Sequence, residues 1–325
     1  MENSLYTVIK GMDKKVSRLV YGTAFIPMLY GRDCNEMLDI AYESGITTFD
    51  TARNYAGSEI SLGKWIKDRN LAKEVVILSK CAHPDENGKR VNEKAIREDF
   101  AKSQEYLGVD CIDIYMLHRD DTFVPAGEVV EIMNALKNEG KIKVFGCSNW
   151  TADRIEQANN YAAQRNLTPF TVSSPNFSLA RQIQDPWGGG CVSITGDDNV
   201  ADREYYRKTQ MPVFAYSSMG RGFFSGRFRS DEREKARTIL DGVALKAYDA
   251  DDNFERLRRS EILAELYGVT VGQIALRWIF TRGLNAFAIV AMKDKKYIEL
   301  NKRALSLPLT KKQSDYLNLE CDKYD

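Results

Sequence analysis

Four side chains of different chemistry fall at or just beyond short apolar runs. Asp50 follows GITTF, Tyr55 sits in the loop after it, Lys80 closes EVVILSK, and His118 closes CIDIYMLH. Taken singly, each has a plain explanation. Asp50, before Thr51, could cap a turn. Tyr55 could be a loop aromatic, Lys80 a solvated lysine, and His118, beside Arg119, Asp120 and Asp121, a hydrogen bonder of its loop. Together they form a proton-transfer set. A phenol titrates near ~10 when unperturbed, and a neighbouring ammonium favours the phenolate and lowers that value. A carboxylate paired with the lysine keeps it charged and oriented. A nearby imidazole can polarise a substrate oxygen. Such a set can give a proton to a developing alkoxide or take one from an alcohol. It holds neither a strong nucleophile nor a metal-ligand cluster, so its natural partner is hydride transfer to or from a nicotinamide.

The elements that must position these groups are legible in the alternation of the chain. Residues 16–19, 46–49, 74–80, 111–118, 141–148, 170–174, 211–217 and 286–292 read as strands. Residues 35–44, 58–69, 93–107, 128–139 and 152–165 have helical spacing. Strict alternation of this kind predicts a parallel sheet with crossover helices. About eight such units over about 300 residues favour a closed (β/α)8 barrel in a single domain over an open sheet. No GxGxxG follows the first strand, which weakens the open dinucleotide-binding alternative. In the barrel, chemistry sits at the carboxyl ends of the strands, where Asp50, Lys80 and His118 fall. Two long connections stand out: residues 181–199, containing WGGGC, and an Arg-rich stretch from residue 220 to about 252. Long connections inside a compact domain are usually functional or mobile.

The 325 residues carry 46 basic and 46 acidic side chains, with 43% hydrophobic and 28% charged residues. That balance is ordinary for a folded protein. It provides no global attraction to nucleic acid or an anionic membrane, while leaving room for a local basic pocket. Cys34, Cys81, Cys111, Cys147, Cys191 and Cys321 show no close pairing and read as free thiols of a reducing compartment. With His83 and His118 as the only histidines, no metal site is expected. The N-terminal MENSLYTVIKGMDKK lacks the apolar core of a secretory signal. No apolar run reaches the ~20 residues of a membrane helix. A cytoplasmic location is expected.

At these residues the sequence resembles the aldo-keto reductase family, through nearly its whole length. The matching stretches are GITTFDTARNYAGSE (45–59), VVILSK (75–80), YLGVDCIDIYMLHRDD (106–121), LKNEGKIKVFGCSNW (136–150) and VFAYSSMGRGFFSGRF (213–228). The resemblance implies a (β/α)8 barrel, often with a β-hairpin plugging its N-terminal end, here around residues 6–15. It implies Tyr55 as general acid, tuned by Lys80 and Asp50, with His118 orienting the carbonyl. Ser148 and Asn149 match the pair that holds the nicotinamide carboxamide, and Tyr216 matches the aromatic that stacks on the nicotinamide ring. Ser217, Met219 and Gly222 fall where the family's loop wraps the pyrophosphate.

The chain also departs from the family. Where a glutamine usually ends the sixth strand, Ser174 stands in TVSSPNF, and its shorter side chain reaches less far. The adenosine-phosphate segment reads VAMKDKKYIELNK. Lys293 occupies a position that is often basic, and Tyr297 and Asn301 follow with the usual spacing. Lys295 and Lys296 add charge near the start of the last expected helix, where anions are favoured. The resemblance thus implies NADP(H) in preference to NAD. Trp150, Trp187 and the 181–199 loop are candidates for the substrate pocket, and Trp187 could equally pack on the barrel rim. The expected activity is reduction of an aldehyde, ketone or sugar-like carbonyl. The alternatives are an NAD-dependent alcohol or sugar dehydrogenase and a cofactor-binding regulatory subunit without turnover. Oligomeric state stays open.

Overall fold

The structure, a computed structural model, describes residues 4–324. The chain forms two compact units, one of Tyr6–Ser174 with Ala291–Ile298, the other built mainly from Pro175–Val290 and the residues from Glu299 onward.

The first unit opens with an antiparallel hairpin of β1 (Tyr6–Thr7) and β2 (Val16–Ser17), pairing Tyr6 with Ser17 and Thr7 with Val16. Then come β3 (Leu19–Gly22), α1 (Asn35–Glu43), β4 (Thr48–Asp50), α2 (Ser58–Arg69), β5 (Val76–Cys81) and α3 (Glu93–Leu107). They are followed by β6 (Ile112–Leu117), α4 (Ala126–Asn138), β7 (Ile142–Ser148), α5 (Ala152–Gln164) and β8 (Val172–Ser174). Strands β3 to β8 pair as parallel neighbours. Both faces of β5 and β6 are buried, as a sheet flanked by crossover helices requires. Local signals set the lengths. Asn92 accepts a hydrogen bond from the Ala95 amide to start α3, and Gly108, at φ 66°, ends it.

The second unit holds α6 (Val200–Thr209), β9 (Val213–Ala215), α7 (Arg233–Ile239), α8 (Gly242–Tyr248), α9 (Asp251–Tyr267), α10 (Val271–Ile279) and β10 (Ala286–Val290). Helix α11 (Lys295–Ala304) follows β10, and α12 (Lys311–Leu317) comes last. The strand order β10-β3-β4-β5-β6-β7-β8-β9 closes into an eight-stranded barrel, the expected (β/α)8 architecture with its hairpin.

Three details differ from the sequence reading. Val16 belongs to the hairpin, and the first barrel strand starts at Leu19. The Ser17 hydroxyl accounts for the break: it accepts from the Thr47 and Thr48 amides at 3.1 Å and donates to the Leu19 carbonyl at 2.7 Å. The Arg-rich connection after residue 220 is mostly helical. Its arginines bind acids within the unit, with Arg233 and Arg237 on Asp249 at 2.6 and 2.9 Å and Arg221 on Asp241 at 3.0 Å. The helix begun by Lys295 is followed by one more, α12, which a Thr310–Gln313 capping box starts. Among the described residues, no single helix is long and apolar enough to cross a membrane.

Candidate active site

Asp50 is the last residue of β4, Lys80 the penultimate residue of β5, and His118 directly follows β6. The parallel register sets Asp50 opposite Leu78 and Lys80 opposite Met116. All three side chains are buried. The Lys80 ammonium donates to an Asp50 carboxylate oxygen and, at 2.9 Å, to the Thr51 carbonyl. Its Nζ lies 5.1 Å from the centre of the Tyr55 ring. The Tyr55 and His118 rings meet edge-on, with centroids 5.6 Å apart. The structure therefore brings the four residues into one cluster.

The electrostatics follow from burial and from the lysine. Desolvation works against the Lys80 charge, but the Asp50 carboxylate and the Tyr55 phenol outweigh it, so the ammonium is held above its ordinary pKa. For Tyr55, desolvation raises the phenol pKa and Lys80 opposes it, with a net rise. The net lowering expected from the lysine is thus reversed by burial. A phenol in this state keeps its proton at neutral pH. His118 is held far below its ordinary value, first by burial and then by the Lys80 and Arg119 charges. It is a neutral imidazole. Its Nδ1 is buried and has no hydrogen-bond partner. A buried N–H without an acceptor is costly, so the ring's proton belongs on Nε2, which can donate. The cluster can present two neutral donors, Tyr55 O–H and His118 Nε2–H, to an oxygen that gains negative charge.

The Tyr55 loop is fixed by a second polar set that the sequence reading did not identify. The Arg53 amide donates to the Lys80 carbonyl at 2.9 Å, and its guanidinium bonds the fully buried Glu59. Ser79, beside Lys80, donates to the other Glu59 oxygen at 2.7 Å. Arg53 also stacks over the Tyr106 ring at 4.5 Å. The acidic residue of NYAGSE was the available signal. A second unrecognised group is His83. Its ring meets His118 edge-on, with centroids 4.9 Å apart. The two histidines of the chain, each just past its strand, are neighbours.

At the ends of β7 and β8, Ser148 stands opposite Ser174. The Ser148 hydroxyl donates to the Ser174 carbonyl at 2.7 Å. The Asn149 amide group donates to Ser148 Oγ at 2.9 Å and to the His118 carbonyl at 3.2 Å. These three buried residues join the tetrad through His118. The backbone of Ser174 makes the contact seen here. Trp150 is buried against Phe170, under the Arg154 guanidinium, and its indole nitrogen has no partner.

In the second unit, Tyr216 follows β9 and is half-buried, its backbone held by Pro175 and Asn176. The Trp187 and Tyr216 rings lie 6.0 Å apart, and the Arg221 guanidinium lies 5.9 Å from the Trp187 ring. Asp185 accepts from the Trp187 amide with one oxygen and from the Cys191 amide with the other, both at 2.8 Å. That staple closes the triple-glycine loop on a single carboxylate. Trp187 thus packs on Tyr216 while keeping 40% of its surface exposed. Ser217 and Gly222 take left-handed backbone at φ 50° and 92°, and Met219 packs toward Gly272 of α10. Asn301 lies within α11, half-buried.

Lys293, Lys295, Lys296 and Tyr297 are exposed around the start of α11. Asp294 caps this helix, accepting from the Tyr297 amide at 3.0 Å. Lys293 lies 5.9 Å from the Phe25 ring. Among the described residues, the three lysines form no ion pair, and no cluster of three His, Cys, Asp or Glu side chains is arranged to hold a metal.

Comparison with known proteins agrees with this geometry. The sequence model described as the Aldo/keto reductase family matches residues 18–319. An aldo-keto reductase of Strobilurus tenacellus is 30% identical over 290 residues, covering 86% of this chain and 78% of the relative. A probable aryl-alcohol dehydrogenase of Saccharomyces cerevisiae is 27% identical over 302 residues, covering 87% and 85%. An aldo-keto reductase of Schizosaccharomyces pombe whose name specifies NADP(+) is 25% identical over 325 residues, covering 94% and 89%. With a closed parallel barrel and a family match over nearly its full length, the chain belongs to the aldo/keto reductase family of NAD(P)(H)-dependent oxidoreductases.

Proposed function

We propose that this protein reduces an aldehyde, ketone or sugar-like carbonyl with NADPH, with Tyr55 as the general acid. The observation that carries the reading is the buried cluster in which a charged Lys80, paired with Asp50, faces a phenol that keeps its proton. The substrate oxygen accepts hydrogen bonds from Tyr55 O–H and His118 Nε2–H. As charge builds on that oxygen, the Tyr55 proton moves to it. The phenolate left behind is stabilised by the Lys80 ammonium, which Asp50 and the Thr51 carbonyl hold in place. Positioned acid catalysis of this kind contributes about 10²–10⁴-fold. NADPH, when bound, supplies the hydride.

The residues present fit a nicotinamide cofactor. Ser148, Asn149 and Ser174 place buried hydroxyl and amide groups together next to His118, the chemistry that recognises a carboxamide. Tyr216 would stack on the nicotinamide ring, with Ser217, Met219 and Gly222 along the pyrophosphate. Lys293, Lys295 and Lys296, unpaired at a helix start, support a 2′-phosphate site, with Tyr297 and Asn301 beside the adenosine. The name of the Schizosaccharomyces pombe relative supports the same preference. Trp150 and Trp187 are the proposed pocket aromatics. We read residues 1–325 as one catalytic domain. Six cysteines, with no disulfide among the described residues, support a reducing, cytoplasmic location.

The test is cofactor oxidation, followed by nicotinamide absorbance, with a panel of aldehydes and ketones and each of NADPH and NADH. Turnover with NADPH above NADH is expected. An inert protein across the panel would contradict the reading.

A further inference from the structure

We propose that His83 accepts a hydrogen bond from a substrate hydroxyl, so that the preferred substrates carry a hydroxyl on the carbon next to the carbonyl. The inference deepens the carbonyl-reductase reading above and rests on it.

The Pro84 carbonyl fixes the tautomer of His83. Its Nδ1 lies 2.8 Å from the Pro84 carbonyl oxygen. A carbonyl can only accept, so Nδ1 carries the proton. The ring is half-buried on the loop after β5. Burial, joined by the Arg119 and Arg90 charges, disfavours a second proton, and the opposing Pro84 hydrogen bond and Asp99 charge do not reverse this. His83 is therefore a neutral imidazole whose Nε2 offers a lone pair. That nitrogen makes no hydrogen bond to any described residue.

His118 has the opposite polarity. Its Nδ1 lacks an acceptor, which leaves Nε2 as the donor. The two rings meet at 78° with centroids 4.9 Å apart, just beyond adjacent strands whose register pairs Cys81 with Leu117. One imidazole donor and one imidazole acceptor thus stand side by side at the catalytic cluster. A carbonyl oxygen uses the donor, with Tyr55. A hydroxyl on the next carbon can give its proton to the acceptor. A plain alkyl or aryl aldehyde fills the first role and leaves the second empty. Sites built to bond a hydroxyl discriminate against analogues that lack it.

The experiment uses the full chain with NADPH and matched substrates, lactaldehyde against propionaldehyde and glycolaldehyde against acetaldehyde. The readout is the ratio of kcat/KM within each pair, in wild type, His83→Phe and His83→Gln. Phe keeps an edge-on ring and removes the acceptor, so the ratio should fall about tenfold, the scale of one neutral hydrogen bond. Turnover of the unsubstituted aldehyde should persist. Gln returns an acceptor oxygen and should recover part of the ratio. His83→Leu replaces the Phe variant if the latter does not fold. An unchanged ratio, or equal loss on both members of a pair, overturns the role of His83. Wild type inert toward all four aldehydes would instead overturn the carbonyl-reductase reading, and this inference with it.

Discussion

The Lys80 ammonium lies 5.1 Å from the centre of the Tyr55 ring while it is bonded to Asp50. One buried cation therefore serves two acids on neighbouring segments. It balances the Asp50 carboxylate permanently and, in the proposed mechanism, would stabilise the phenolate that proton transfer leaves on Tyr55.

Removing that cation should affect folding and turnover separately. Lys80→Met leaves Asp50 buried and unpaired, which typically costs about 3–5 kcal/mol. Urea unfolding should show the loss as a lower midpoint. Replacing Asp50 as well, in Lys80→Met/Asp50→Leu, should recover much of the stability but none of the activity. Recovery of turnover in the double variant would mean that Lys80 acts only through packing.

The neutral state of His118 predicts a pH dependence of stability. Its folded pKa lies well below the ordinary 6.5. Between those two values the unfolded chain binds the extra proton and the folded chain does not. Stability is then highest above the ordinary value and declines as pH falls through it toward the folded value. His118→Gln removes this contribution, so its unfolding midpoint should fall less steeply over that acidic window. Parallel curves for the two proteins would show that His118 titrates as it does in the unfolded chain.

Lys293 should separate the two cofactors. A charge-assisted hydrogen bond contributes roughly 1.5–3 kcal/mol. Lys293→Ala should weaken NADPH binding by about one to two orders of magnitude and hardly alter NADH. Fluorescence titration of both cofactors at one salt concentration decides this. Equal losses for both would point to general damage at the start of α11.

Gly146 tests how tightly β7 and β8 must approach. A Cβ on it would lie 1.8 Å from the Val172 carbonyl oxygen. Gly146→Ala must therefore push the strands apart, at a cost of about 1–3 kcal/mol or more. The same shift displaces Ser148 from Ser174, so cofactor affinity should fall along with the unfolding midpoint. A variant as stable as wild type would show that the strands separate freely.

The barrel was legible because buried parallel strands are continuous apolar runs, as in VVILSK and CIDIYMLH, and the helices between them keep their spacing. The tetrad was legible because each member ends, or closely follows, such a run. The supporting groups were not. Glu59 looks like any acid at the first turn of a helix until Arg53 and Ser79 close on it. Asp185 reads as an ordinary loop residue until its two oxygens take the amides of Trp187 and Cys191. His83 lies 35 positions before the ring it touches. The Arg-rich connection looked like a loop because its helices are short and stabilised by Arg–Asp pairs rather than by an apolar stripe. Hydroxyl chemistry also misled at Ser17, where side-chain bonds to the Thr47 and Thr48 amides separate the hairpin from the first barrel strand.

The most direct test of the central claim is the steady-state rate of NADPH oxidation by Tyr55→Phe with a carbonyl substrate that the wild type reduces. Phe keeps the ring against His118 and removes the hydroxyl that would donate the proton. The account predicts turnover lower by about 10²–10⁴-fold, with NADPH affinity close to that of wild type. A Tyr55→Phe protein that reduces the carbonyl at the wild-type rate would contradict it.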